Sequence, residues 1–271
     1  MDNQNYKMDF FGAIILVAGL FVGASFAYAF GLGLSALFGQ DLQQTGWFSV
    51  FSYVMTMLTP ILFFYLLTVK NDGKKLTFDF STKPFRVYLL IFPMMLGIML
   101  VADYTTQLIP TTGQLLGPLY QLYQAEFLKL SSSPVSLILM TVLLAPVLEE
   151  TLFRGILMQG MINNKVKSTT AIIVSALIFG VVHFNPWQFV GAFLLGLVLG
   201  LVYFKTKSLL MPILLHAFNN LVSALMTMYT DSETFSEFFQ MKKEIILVSG
   251  VVIFAIPFYF FAVRKNIIYK D

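Results

Sequence analysis

The residues best suited to chemistry lie in the stretch APVLEETLFRG (145–155), which places two glutamates and an arginine inside a long apolar run. Ionised side chains near the centre of a bilayer cost roughly 2.5–3.5 kcal/mol each on insertion scales. A membrane helix that carries Glu149, Glu150 and Arg154 must therefore face protein or water. Ionisable residues within a membrane indicate a functional site by default.

Helical spacing separates the two acids. Glu150 and Arg154 are four residues apart, so an α-helix stacks them on one face as an ion pair, while Glu149 lies about 100° round the helix. We expect Glu150 and Arg154 to support the site. Glu149 has no partner within its own helix, so its partners must come from other helices, and it is the candidate general base or acid.

The chain contains two histidines, each with a neighbour on the same helical face. Phe179 and His183 are four residues apart, as are His216 and Asn220, and residues at this spacing lie side by side on a helix. Taken alone, a histidine near a helix end, such as His183, is more often an interface residue. His216 lies deep in apolar sequence, where an imidazole needs partners.

If these side chains converge, two kinds of hydrolytic site are chemically accessible. A carboxylate and an imidazole can position and deprotonate a water, while a second imidazole and a carboxamide stabilise an oxyanion, which describes amide hydrolysis without a covalent intermediate. Glu149, His183 and His216 also match a catalytic zinc site of the His2Glu type. The sequence contains no His-Glu-x-x-His motif, so the spacing does not indicate zinc, and it contains no cysteine that could bind a metal. We therefore predict either no cofactor or zinc.

The composition predicts an integral membrane protein. Hydrophobic residues make up 58% of the chain and charged residues 11%, against about 25% charged residues in soluble domains. We predict an all-α polytopic bundle of about eight transmembrane helices in a single domain, 1–271, with a catalytic core at 134–225. The predicted spans are residues 10–38, 46–69, 87–109, 134–160, 169–184, 187–205, 209–229 and 245–263.

The distribution of basic residues predicts the orientation. The chain has 17 lysines and arginines, and all but four of them lie in alternate loops and at the two ends. Arg264, Lys265 and Lys270 belong to this majority and lie at the C-terminal end. By the positive-inside rule both termini are then cytoplasmic. The net charge of +3 comes from these loops and gives no indication of a nucleic-acid partner.

Two outer segments are predicted to be more than linkers. Residues 115–130 place apolar side chains on one helical stripe, which suits a helix lying on the membrane surface. An extension of the neighbouring span, or a buried loop helix, fits this segment equally well. Residues 231–241 carry three phenylalanines among acidic residues and are predicted to behave similarly over a shorter length.

The three motifs together resemble a known family. The sequence EETLFR (149–154), then Phe179-x-x-x-His183, then His216-x-x-x-Asn220, in this order on three helices, resembles the CPBP intramembrane proteases. These CAAX-processing and bacteriocin-processing proteins, also called Abi proteins, are related to type II CAAX prenyl endopeptidases. The resemblance covers about residues 134–225, and its specificity lies in the order of three motifs rather than in any one.

The resemblance implies an intramembrane endopeptidase. Glu149 and His183 would activate the water, and His216 and Asn220 would form the oxyanion hole. The family includes members described as metalloproteases and as metal-free glutamate proteases. The implied partners are the bilayer and a peptide or small membrane-protein substrate, and the oligomeric state is left undetermined. Prenylated substrates are implied for the eukaryotic branch of the family. The composition also suits a bacterial plasma-membrane member, for which leader or signalling peptides and bacteriocin precursors are implied.

Two other functions are compatible with parts of the pattern. A proton-coupled transporter also uses Glu and His within membrane helices, but it predicts pseudo-repeated halves, whereas these polar residues occur only in the second half. A catalytically silent scaffold or regulator of the same fold would be favoured by loss of Glu149 or of either histidine. All three residues are present.

Overall fold

Helices form nearly all of the regular structure in the computed structural model, which describes residues 5–230, 232 and 234–263. No β-strand occurs in these ranges, and Asn5 and Lys75 form an isolated bridge. This confirms the all-α prediction. The helices are α1 (Phe10–Phe38), α2 (Gly46–Val69), α3 (Phe85–Thr106), α4 (Leu116–Ser131), α5 (Pro134–Asn163), α6 (Ser168–Val181), α7 (Pro186–Thr206), α8 (Leu210–Tyr229), α9 (Phe235–Phe238) and α10 (Lys243–Val263).

Seven helices of the described part are long and apolar enough to cross a membrane, namely α1, α2, α3, α5, α7, α8 and α10. The protein is therefore a multi-pass membrane protein. The remaining predicted span, 169–184, is the shorter helix α6 of 14 residues. At 1.5 Å per residue it is about 21 Å long, less than the roughly 30 Å of a hydrocarbon core. It ends early because the chain turns at residues 182–185 before α7 begins.

The chain forms two compact units. The first contains Met1–Phe78 and Gln124–Ala171, and the second contains Asp79–Tyr123 and Ile172–Asp271. The prediction of one membrane domain over 1–271, with a catalytic core at 134–225, stays a prediction.

In the first unit, glycines let α1 lie directly against α2. A Cβ atom on Gly19 would lie 2.4 Å from Cα of Pro60, and one on Gly23 would lie 2.4 Å from the carbonyl oxygen of Met55. Small residues of this kind allow the close backbone approach that membrane helices use for packing. The α1–α2 pair therefore depends on both glycines.

The segment before α1 is tied to α5, the helix that carries Glu149. The amide of Met8 donates to the carbonyl of Gly160 at 2.9 Å, and the side chain of Asn163 donates to the carbonyl of Tyr6 at 2.9 Å. The Tyr6 hydroxyl in turn donates to the carbonyl of Gly155. These bonds hold the C-terminal half of α5 in place.

The second unit is organised round α3. Its buried core draws on α3, α7, α8 and α10, and its members are Val87, Ile91, Met94, Met95, Ile98, Met99, Val198, Leu199, Val202, Met211, Leu215 and Phe261. A Cβ atom on Gly97 would lie 2.4 Å from the amide nitrogen of Phe254. Helices α3 and α10 therefore pack at a distance that only glycine permits.

The two segments that are predicted to lie on the membrane surface contain helices. Residues 115–130 form α4, Leu116–Ser131, and the segment 231–241 contains the short helix α9, although Asp231 and Glu233 lie outside the described residues. Their placement on a membrane surface stays a prediction. Arg264, Lys265 and Lys270 also lie outside the described residues, and the cytoplasmic position of both termini stays a prediction.

Candidate active site

Helix α5 changes from α-helical to π-helical hydrogen bonding directly after Glu149 and Glu150. Within α5, residues Ala145–Glu150 form an α-helical segment between π-helical stretches at Ile138–Leu144 and Thr151–Met158. Glu149 and Glu150 are the last two residues of that segment. Short π-helical stretches within α-helices are frequent at functional sites. The backbone geometry and the buried charges therefore both indicate a functional site at Glu149 and Glu150.

Glu150 and Arg154 form the ion pair that their spacing predicts. Nη1 of Arg154 lies 2.8 Å from Oε1 of Glu150, and neither side chain is exposed. A buried pair of this kind is a constraint on the fold, because loss of one partner leaves a charge in a low-dielectric interior. The sequence prediction of a paired Glu150 is confirmed.

Glu149 has a hydrogen-bond donor on another helix. The hydroxyl of Tyr53, on α2, donates to Oε1 of Glu149 at 2.5 Å, and Glu149 is 7% exposed. The expectation that a partner of Glu149 comes from another span is confirmed, but Tyr53 itself was missed. The one signal in the sequence was a phenol within an apolar span, which needs a partner when buried. Nothing in the spacing connected it with a residue 96 positions later.

His183 lies in the turn after α6 and is held by its own backbone. Its Nδ1 lies 2.7 Å from the carbonyl oxygen of Phe179. A carbonyl oxygen can only accept, so Nδ1 carries the proton of the neutral ring and Nε2 has the lone pair. His183 is half-buried and is therefore set in the tautomer that a base or a metal ligand requires at Nε2.

The turn that follows His183 is specified by its sequence. Phe184 has a φ of 55°, in the left-handed region, and Asn185 caps α7 by accepting from the amide of Gln188 at 2.8 Å. The Asn185 side chain also donates to the carbonyl of His183 at 3.1 Å. Pro186, which lacks an N–H, occupies the first turn of α7, where no donor is needed. The cap of α7 thus fixes the backbone of His183.

The ring of Phe179 contacts both imidazoles. Its centroid lies 5.2 Å from that of His183 and 5.7 Å from that of His216, and both contacts are edge-to-face. Phe179 is 3% exposed and His216 is 7% exposed. The structure therefore brings the two histidines to one aromatic side chain, a contact between α6 and α8 that the sequence did not predict.

The Asn220 amide is oriented by its neighbour. The side chain of Asn219 donates to Oδ1 of Asn220 at 2.8 Å. This bond fixes the orientation of the Asn220 carboxamide, whose Nδ2 supplies the donors that an oxyanion needs. Asn219 was not singled out from the sequence, although two consecutive asparagines in a membrane helix are a visible signal.

The candidate residues fall into two sets, one in each unit. The first unit brings together Tyr53 with Glu149, and Glu150 with Arg154. The second unit brings together Phe179, His183 and His216, while Asn220 lies one turn after His216 on α8.

A zinc site is not evident from the grouping of ligands. Among the described residues there is no group of three or more His, Asp or Glu side chains that could hold a metal ion. Zinc bound by Glu149, His183 and His216 stays a prediction of the sequence.

The segment that contains the candidate residues from Glu149 to Asn220 is similar to a known protein family. Residues 131–222, about a third of the chain, match the model of the family described as Type II CAAX prenyl endopeptidase Rce1-like. This segment is therefore similar to the Rce1-like endopeptidases. The matched residues include every candidate from Glu149 to Asn220, so the resemblance drawn from the three motifs is confirmed over this segment. No curated protein and no solved structure matches the chain. The Rce1-like match supports a CAAX-type intramembrane endopeptidase in general terms.

Proposed function

We propose that this protein is an intramembrane endopeptidase that cuts a membrane-associated or leader-type peptide by general-base activation of water. The observation that carries the proposal is the buried carboxylate of Glu149, held by the Tyr53 hydroxyl within the Rce1-like segment. A buried acid with a hydrogen-bonded, fixed orientation is suited to proton transfer.

Glu149 is the base in the proposed reaction. Tyr53 occupies Oε1, but an ionised carboxylate has about four acceptor sites, so it can still accept a proton from water. The hydroxide equivalent attacks the carbonyl carbon of the peptide, and the proton then passes to the leaving amine. No covalent intermediate with the enzyme is needed.

His183 shares the activation of the water in this proposal. Its Nδ1 donates to the Phe179 carbonyl, which leaves Nε2 as the atom that accepts from the water. The imidazole therefore contributes through position and hydrogen bonding, while Glu149 takes the proton.

His216 and Asn220 are the proposed oxyanion donors. As the carbonyl becomes tetrahedral, negative charge develops on its oxygen, and fixed N–H groups stabilise that charge in a dry site. The bond from Asn219 to Asn220 orders one donor before substrate binds. Glu150 and Arg154 support the site by holding α5 in shape.

The substrate class is also part of the proposal. A bacterial plasma-membrane protein of this type would act on leader or signalling peptides, and a CAAX-type relative would act on prenylated chains. The alternatives of a silent scaffold and of a proton-coupled transporter are not favoured by the family match.

The proposal is tested by comparing membrane and secreted peptides from cells that carry the wild type, Glu149→Gln or Glu126→Gln. Glu126 is a matched control because its side chain is 76% exposed, in contrast to the buried Glu149. A peptide whose new terminus appears with the wild type and with Glu126→Gln, but not with Glu149→Gln, supports the proposal. Full cleavage by Glu149→Gln would show that Glu149 is not the base.

A further inference from the structure

A polar stripe runs along α8 beyond the candidate oxyanion residues. Asn219, Ser223 and Thr227 follow His216 by three, seven and eleven residues, which places them on one face of the helix. The proposed chemistry uses His216 and Asn220 but not the rest of the stripe. Polar side chains are costly within a membrane unless they face protein or a water-filled space.

The stripe faces a cavity that lies within the second unit. The cavity has a volume of about 210 Å³, is partly open, and is lined by twelve residues. Its polar wall includes Asn219, Ser223 and Thr227 of α8 together with Asp103 and Thr106 of α3. Pockets for whole small molecules usually measure about 300–1,000 Å³, so this one suits a single side chain.

The carboxylate of Asp103 gives the cavity its charge. Its Oδ2 accepts from the side chain of Gln107 at 2.9 Å and from the amide of Phe235 at 3.3 Å. In the described part of the chain Asp103 forms no salt bridge, and no hydrogen bond reaches Oδ1. Glu237 is near enough to Asp103 to interact with it electrostatically. The amine of Lys243 lies over the ring of Tyr104, 6.0 Å from its centroid.

The cavity is joined to the proposed oxyanion hole by one hydrogen bond. Asn219 lines the cavity and donates to Oδ1 of Asn220 at 2.8 Å. A group bound in the cavity would therefore lie next to the residue that is proposed to contact the carbonyl under attack. This is the position of a pocket that selects a residue near the cleaved bond.

We infer that the cavity is a specificity subsite that binds a cationic side chain, lysine or arginine, near the cleaved bond of the substrate. The inference rests on the proposed function. The Asp103 carboxylate, which forms no salt bridge with any described residue, supplies the charge. The Thr106, Ser223 and Thr227 hydroxyls supply acceptors, and the volume admits one side chain. An anionic residue would fit poorly because the wall already carries a negative charge, and a large aromatic residue would fit poorly because the volume is small.

The absence of native cysteine allows the charge preference to be measured without any substrate. Ser223→Cys places a nearly isosteric thiol on the cavity wall, and Thr111→Cys places one in an exposed loop as the control. The full-length protein is treated with 2-(trimethylammonium)ethyl methanethiosulfonate and, separately, with 2-sulfonatoethyl methanethiosulfonate. The ratio of the two rates cancels the reactivity of the thiol itself, so it reports the local charge.

We expect the cation-to-anion ratio at Ser223→Cys to exceed that at Thr111→Cys by about tenfold or more at low ionic strength, because a focused negative potential concentrates cations. Adding Asp103→Asn, which keeps the volume and one acceptor, should bring the ratio down to the control value. Equal ratios at the two thiols, or a ratio that Asp103→Asn does not change, would overturn the inference in favour of a neutral, water-filled cavity.

A second variant closes the cavity without touching its charge. A Cβ atom on Gly191 of α7 would meet only Oγ1 of Thr106, at 4.0 Å, so Gly191→Leu can extend into the space. Gly33→Leu is the control, since nothing lies within 4 Å of a Cβ there. We expect Gly191→Leu alone to slow the cationic reagent at Ser223→Cys several-fold and to reduce cleavage of the peptide identified through Glu149→Gln.

The sequence of that peptide completes the test. Lysine or arginine near the cleaved bond supports the subsite, whereas a cleavage site without either one overturns it even if the thiol ratios show a cationic preference. If Glu149→Gln alters no peptide, the proposed function fails and the specificity role fails with it. The thiol ratios still decide the charge preference in that case, so the two failures are distinguishable.

Discussion

The hydroxyl of Tyr53 on α2 donates to Oε1 of Glu149 on α5 at 2.5 Å. Hydrogen bonds to charged groups are worth about 1.5–3 kcal/mol, and this one orients the carboxylate that is proposed to activate water. Tyr53 is therefore a positioning residue, since it acts on the water only through Glu149.

Replacing Tyr53 by phenylalanine should lower turnover by about 10- to 100-fold, the rate equivalent of one lost charged hydrogen bond. KM should stay nearly constant, because Tyr53 is not proposed to touch the peptide. The measurement is the initial rate of peptide release at several substrate concentrations. Tyr65→Phe is the control on the same helix, where the tyrosine is 40% exposed. Wild-type turnover in Tyr53→Phe would remove the positioning role.

Breaking the buried pair of Glu150 and Arg154 should affect folding more than chemistry. We expect Glu150→Gln to reduce the free energy of unfolding by about 3–5 kcal/mol, because Arg154 keeps its charge in a site with no exposure. Thermal unfolding of the purified protein in detergent measures the effect.

The double variant Glu150→Gln with Arg154→Met serves as the control for that measurement. It removes both charges and should recover much of the lost stability, since apolar replacement of a whole buried pair is often neutral. Normal stability of Glu150→Gln together with loss of cleavage would instead give Glu150 the catalytic role.

Two substitutions of Asn185 should separate helix capping from the positioning of His183. Asn185→Asp keeps an acceptor for the amide of Gln188 but removes the donor to the carbonyl of His183 and to Oε1 of Gln188. We expect it to unfold at nearly the wild-type temperature, because Asp and Asn are similar caps, and to cleave more slowly.

Asn185→Ala removes all three of these side-chain hydrogen bonds. It should cost about 1 kcal/mol of stability as well as activity, as loss of a cap usually does. Equal activity of Asn185→Asp and the wild type would show that the bond to the His183 carbonyl has no part in catalysis.

Metal dependence distinguishes the two forms of the reaction. We expect cleavage to persist after exhaustive chelation, because the proposed activation of water needs only a carboxylate and an imidazole. The assay compares peptide release before and after chelation, with Zn²⁺ added back as the control. Loss of activity that Zn²⁺ restores would support the zinc alternative with Glu149, His183 and His216 as ligands.

Interactions within one helix could be predicted because helical spacing is local information. The pairing of Glu150 with Arg154 follows from the i, i+4 relationship alone. Phe179 also contacts His183 at this spacing, although His183 lies in the turn after α6 and not in the helix. Apolar runs likewise predicted all seven long spans. The end of α6 was predicted less well, because the apolar run continues through Val182 while the backbone has already turned.

The sequence by itself thus determined a multi-pass helical protein, one self-paired acid, one acid in need of a partner, and two histidines suited to a hydrolase. Only the tertiary structure decided that Tyr53 meets Glu149 and that Phe179 contacts His216. It alone also showed that Asp103 shares a cavity with the polar stripe of α8. Such contacts depend on how helices pack against one another, and packing is set by the shape of many side chains and glycine contacts together rather than by the spacing within one segment.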